Sequence, residues 1–106
     1  MHIEILVGAA PDAELLARLM RQAAADLGRD HQALLCCRLR MERTSGEDAW
    51  EARAELLFPG RQIIVNRSGI LPRVALRAAL AAAGALAAHQ QDRDGRAAHD
   101  ALGVAA

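Results

Sequence analysis

Four arginines in this chain stand where they could meet phosphate: Arg18 and Arg21, three residues apart, and Arg73 and Arg77, one helical turn apart in an alanine-rich stretch. A guanidinium presents a planar fork of donors that matches the oxygens of a phosphate. Neither Arg73 nor Arg77 has an acidic neighbour at helical spacing, and the second helix stays positive until Asp92. A basic ridge that contacts phosphate and an ordinary solvated helix surface are the two readings of these side chains.

Other chemistry finds little to build on. His2, His31, His89 and His99 fall at a strand start, a loop, a helix end and a tail, with no metal-ligand spacing on one element. Ser45 and Ser68 sit in turn-like sequence without a nucleophile-elbow pattern around them. Gly8 opens no phosphate loop. Cys36 and Cys37 are adjacent, so on a strand they point to opposite faces and are poorly placed to bridge each other. No enzyme and no cofactor are expected.

Thirteen arginines, no lysine and thirteen acidic residues give a formal net charge of zero over 106 residues. A nucleic-acid binder ordinarily carries a basic excess, so any such surface here must be local. Aromatic content is 2 %, which leaves Leu, Ile, Val and Ala to build the core and disfavours base stacking on an aromatic platform. No run of about twenty apolar residues is present to cross a bilayer. The start, Met-His-Ile-Glu-Ile, lacks the pattern of a signal peptide, and a reducing, cytoplasmic setting is expected.

These residues need elements to hold them. His2–Val7 reads as a first strand. Pro11 opens a helix with Asp12 and Glu14 near its positive end, and Leu16, Leu19, Met20, Ala23 and Leu27 form its apolar stripe, with Gly28 the expected stop. From Ala33 to Arg43 the period becomes two, with Leu35, Cys37, Leu39 and Met41 on one face and Cys36, Arg38, Arg40 and Glu42 on the other. Alternation resumes from Trp50 to Phe58, Pro59-Gly60 turns the chain, and Ile63 to Arg67 gives a fourth strand. Pro72 starts a second helix through about Gln90, with Leu76, Ala79, Leu80, Ala83 and Ala87 inward. Residues 1–90 form one domain and residues 91–106 a polar, Ala-rich tail.

The order β-α-β-β-β-α implies an α+β two-layer sandwich, a four-stranded mixed sheet with both helices on one face. On its open face, a register with Arg40 opposite Glu55 and Glu42 opposite Arg53 makes complementary pairs and a self-neutralising surface. Leu34, Cys36 and Ile64 should point away from the helices, a protein contact through which the chain could form a homodimer.

The strand ending Leu-Phe-Pro-Gly, the following "RQIIVNRSG", the helix opening "PRVALRAAL" and the preceding "CCRLRMERTSGEDAWEARAEL" resemble the ribosome hibernation-promoting factor family, the ribosome-associated inhibitors once called sigma-54 modulation proteins. The resemblance covers roughly residues 1–90. It implies a fold similar to double-stranded RNA-binding domains and a non-enzymatic binder of small-subunit ribosomal RNA that silences idle ribosomes under stress. Carried onto this chain, it puts Arg18, Arg21, Arg73 and Arg77 at the RNA. The sequence departs from the family at Ala81-Ala82-Ala83-Gly84-Ala85, where relatives usually carry further Lys and Arg. A scaffold that has kept its fold and changed partner, to a protein or a second copy, is the alternative.

Overall fold

The computed structural model describes residues 1–44 and 49–105, with side chains through His89. Its elements run β1 (His2–Val7), α1 (Ala13–Asp30), β2 (Cys36–Arg43), β3 (Trp50–Phe58), β4 (Arg61–Gly69) and α2 (Pro72–Ala105). The four strands lie in the order β1-β2-β3-β4, with β1 parallel to β2 and the other two pairings antiparallel. A connection the length of α1 allows the parallel pair, and short turns give the antiparallel ones.

Strand alternation sends one set of side chains beneath the helices. Cys37, Leu39 and Met41 of β2, Ala52, Ala54, Leu56 and Phe58 of β3, and Ile63 and Val65 of β4 are all buried. Leu16, Met20 and Ala24 of α1 and Ala75, Leu76, Ala79, Ala83 and Ala87 of α2 meet them. This is the two-layer sandwich that the alternation implies. Small alanines let α2 lie close against the sheet, while Met20, Leu39, Met41 and Leu56, each at most 1 % exposed, fill the interior. Burying each of these larger side chains is worth about 1.5–3 kcal/mol.

The β3–β4 hairpin closes in two residues, with Phe58 paired to Arg61. Pro59 fits the first central position of a type II turn, and Gly60 supplies the positive φ, +77°, that the second demands.

The expected limits shift in four places. First, Gly28 does not stop α1; the helix runs on to Asp30, where the His31 N–H bonds back to the Leu27 carbonyl at 2.9 Å, and Gly28 instead leaves room for the Met1 side chain. Second, Ala24 takes the buried place expected for Ala23, and Leu19 is 42 % exposed. Third, β2 starts only at Cys36, and its alternation does not reach back: Leu34 is buried and Leu35 is exposed. Fourth, α2 continues beyond Gln90 to Ala105, as a run dominated by alanine and free of proline favours.

Candidate nucleic-acid interface

Gly69 ends β4 where the first turn of α2 backs onto it. A Cβ there would lie 2.8 Å from the Ala75 nitrogen and 2.9 Å from Val74 Cγ1, so only glycine allows the approach. Pro72 opens α2 with its φ already helical, and the Val74 and Ala75 amides donate to the Leu71 carbonyl at 3.1 and 3.2 Å. This tight junction fixes where Arg73 and Arg77 emerge.

Those two arginines are exposed and one turn apart. With Leu19 of α1 and Leu76, Leu80 and Ala81 of α2 they line a groove of about 490 Å³ between the helices. Its floor is apolar and its cations stand on one side. Arg18 is exposed on α1 beside Leu15, in a separate hollow that also involves Pro11 and Asp12. Arg21 lies elsewhere: two residues from Leu19, it stands about 160° round the helix from the groove. The fold therefore brings Arg73 and Arg77 together, sets Arg18 in a separate hollow with Asp12 and Glu14, and separates Arg21 from the groove. Among the described residues none of the four forms an ion pair.

Two more arginines join this side. Arg61 and Arg67 share the strand parity of the buried Ile63 and Val65, so both lie on the helix side of β4. Arg61 stacks over Phe58, its guanidinium carbon 5.9 Å from the ring centroid, and Arg67 donates to the Asn66 carbonyl at 2.8 Å. Residues 56–91 contain Arg61, Arg67, Arg73 and Arg77 and no acidic residue at all. A chain of zero net charge thus has a positive β4–α2 half, balanced by acidic residues elsewhere. The run without Asp or Glu was a signal in the sequence, masked by the whole-chain balance.

The open sheet face has a different character, and its register differs from the expected one by two residues. Arg38 faces Glu55, Arg40 faces Arg53 and Glu42 faces Glu51. Arg38 bridges Glu4 on β1 and Glu55 on β3, the latter at 3.2 Å. Arg40 and Arg53 stand opposite one another and lean along their own strands, to Glu42 at 2.8 Å and to Glu55 at 2.9 Å. The Arg53 Nε contact is an ion pair without hydrogen-bond alignment, which leaves that buried nitrogen without a hydrogen bond. Hydrogen bonding by His2 and then Arg38 holds the Glu4 carboxyl below its ordinary range, and Glu4 in turn raises Arg38. The surface is self-neutralising, through pairs other than those expected.

Of the residues expected to form an apolar contact on this face, Ile64 is 46 % exposed and Cys36 half-buried, but Leu34 is 4 % exposed and belongs to the core. Leu34 precedes β2 and turns inward with its amide bonded to the His31 carbonyl at 3.0 Å. Leu57, directly opposite Cys36 and 44 % exposed, takes its place. Cys37 is in the core, and burial, with the neighbouring Cys36 thiol, pushes its own thiol up to about 11. His31 is also buried, edge-on to Phe58 at 6.3 Å, and its Nδ1 has no partner. Among the described residues no cluster of His, Cys, Asp or Glu is placed to hold a metal, and no helix is long and apolar enough to cross a membrane.

No known family profile matches the chain, and no curated protein matches it in sequence. Solved structures do match its fold. The N-terminal domain of Protein Y from Thermus thermophilus superimposes with a TM-score of 0.68 at 16 % identity, over 82 % of this chain and 96 % of that one. A ribosomal subunit interface protein from Coxiella burnetii superimposes with a TM-score of 0.67 at 8 % identity, over 87 % of this chain and 99 % of that one. The β-α-β-β-β-α sandwich is therefore the fold of these proteins, as the resemblance in the sequence implied.

Proposed function

We propose that this chain is a non-enzymatic ribosome-associated factor that binds RNA of the small ribosomal subunit and modulates or silences translation under stress. The fold is shared with a ribosomal subunit interface protein, and the observation that carries the reading further is the positive β4–α2 half. Arg73 and Arg77 project from it without competing carboxylates, with Arg18 on the adjacent helix. Unpaired guanidiniums on a rigid helix are suited to phosphate oxygens. Arg21, round the far side of α1, is the least involved of the four candidates.

With alanines and a glycine at positions 81–85, few phosphates are neutralised, so binding is modest and its salt slope is set by a few contacts. Each phosphate contact contributes a slope of about 0.7–0.9 in log affinity against log salt. Sedimentation of the protein with purified small subunits through sucrose gradients at low and high salt tests the proposal. Association at low salt, weakened when Arg73→Ala and Arg77→Ala are combined, is expected. Absence of association at any salt refutes it.

A second reading draws on the open face, where Cys36, Leu57 and Ile64 adjoin across β2, β3 and β4. Such a cluster fits a protein contact or a second copy of the chain. Light scattering at high concentration distinguishes this: a dimer lost on Leu57→Ser supports it, and a monomer throughout refutes homodimerisation.

A further inference from the structure

The most exposed large apolar side chain in the described structure belongs to neither the core nor the groove. Ile70 is 81 % exposed at the β4–α2 junction, followed by Leu71 at 54 % and Val74 at 52 %. Three large apolar side chains exposed within five residues are costly to keep in solvent unless something covers them. Their support is stiff: Gly69 is pressed against the Ala75 nitrogen on one side, and Pro72 fixes the chain on the other. The flanks are cationic, with Arg67 three residues before Ile70 and Arg73 three after, and no acidic residue lies between Glu55 and Asp92.

From this arrangement we infer that Ile70 and Leu71 form an apolar prong that contacts unstacked or partly unstacked bases of the bound RNA, while Arg67 and Arg73 hold the phosphates on either side. Apolar wedges inserted at base steps between basic side chains are an established way for a protein to grip a duplex. The arginines favour a polyanion, and neither Trp50, half-buried, nor Phe58, buried, is exposed to do the same work by stacking. The inference rests on the proposed ribosomal function and adds to it a mode of contact that charge alone does not require.

Purified small subunits and two kinds of variant test it. Ile70→Ser combined with Leu71→Ser should weaken binding about tenfold, by removing apolar contact, and leave the salt slope as in the wild type. Arg73→Ala should instead lower that slope by about 0.7–0.9. Because Ile70 and Leu71 are exposed, the double variant should fold, which an unchanged melting curve verifies. A benzoylphenylalanine photo-crosslinker at position 70 should crosslink to ribosomal RNA. Unchanged affinity of the double variant, or crosslinking to ribosomal protein alone, overturns the prong while leaving the ribosomal function standing. If the wild type does not bind small subunits at all, both fall.

Discussion

Replacing Gly69 by alanine should loosen the junction on which the proposed interface depends. The added Cβ would stand 2.8 Å from the Ala75 nitrogen and 2.9 and 3.1 Å from two carbons of Val74. The nitrogen is backbone in the first turn of α2 and donates to Leu71, so it cannot swing aside as a side-chain tip can. Either β4 parts from α2 or the helix start unwinds. Overpacking of this kind costs about 1–3 kcal/mol. For a domain of this size that lowers Tm by about 4 °C or more. Thermal unfolding followed by circular dichroism, together with urea titration, would read both numbers. Because the same junction aims Arg73, affinity for small subunits should fall along with stability. A Gly69→Ala variant that melts within about 1 °C of the wild type would refute the close approach of strand and helix.

Three further outcomes follow from the structure. Gly84 lies inside α2 with only Leu27 Cδ2, at 3.9 Å, near a would-be Cβ, so Gly84→Ala should stabilise the protein by about 0.5–1 kcal/mol in the same urea titration. With the Cys37 thiol buried and pushed up to about 11, a thiol reagent at pH 8 should label the half-buried Cys36 in the native protein and both cysteines only in denaturant. The Glu4 carboxyl is held below its ordinary value of 4.5 in the folded state, so its contribution to stability is complete above that pH and is lost as the pH falls through the lower folded value. Glu4→Gln should accordingly flatten the acid side of the stability profile, measured by urea unfolding from pH 6 down to pH 3.

Much of the scaffold is legible in the residues, and the failures are instructive. Alternation located β3 from Trp50 to Phe58, because a strand with one buried face repeats every two residues. The β2–β3 register was not legible from charge. Sliding the pairing by two residues keeps every apolar side chain on the core face, so burial does not oppose it, and exposed ion pairs are worth too little to set it. The connection sets it instead: Arg43 pairs with Trp50, and the Thr44 amide bonds to the Ala49 carbonyl at 2.9 Å. That places Arg40 opposite Arg53, a like-charge pair that sequence reasoning would have rejected. The places of Leu34 and Leu35 are not legible from alternation, because both precede the first residue of β2 and Leu34 is bonded back to His31.

At the candidate interface, the spacing of Arg73 and Arg77 was readable as one face of a helix. Their meeting with Leu19, and the separation of Arg21 from them, depends on how α1 packs against α2. The positive setting of Arg61 and Arg67 is not legible in the chain's balanced charge, although residues 56–91 hold no acidic residue. The exposure of Ile70 is likewise a property of the junction, since it follows the last residue of β4, where strand alternation no longer assigns a face.

The most direct test of the ribosomal assignment is the affinity of this protein for purified small ribosomal subunits as a function of salt, for the wild type and for Arg73→Ala with Arg77→Ala. Measurable binding at low salt, with the wild-type slope exceeding that of the double variant by about 1.4–1.8, is the predicted result. Binding that is absent at every salt concentration, or a slope that the two substitutions leave unchanged, would contradict it.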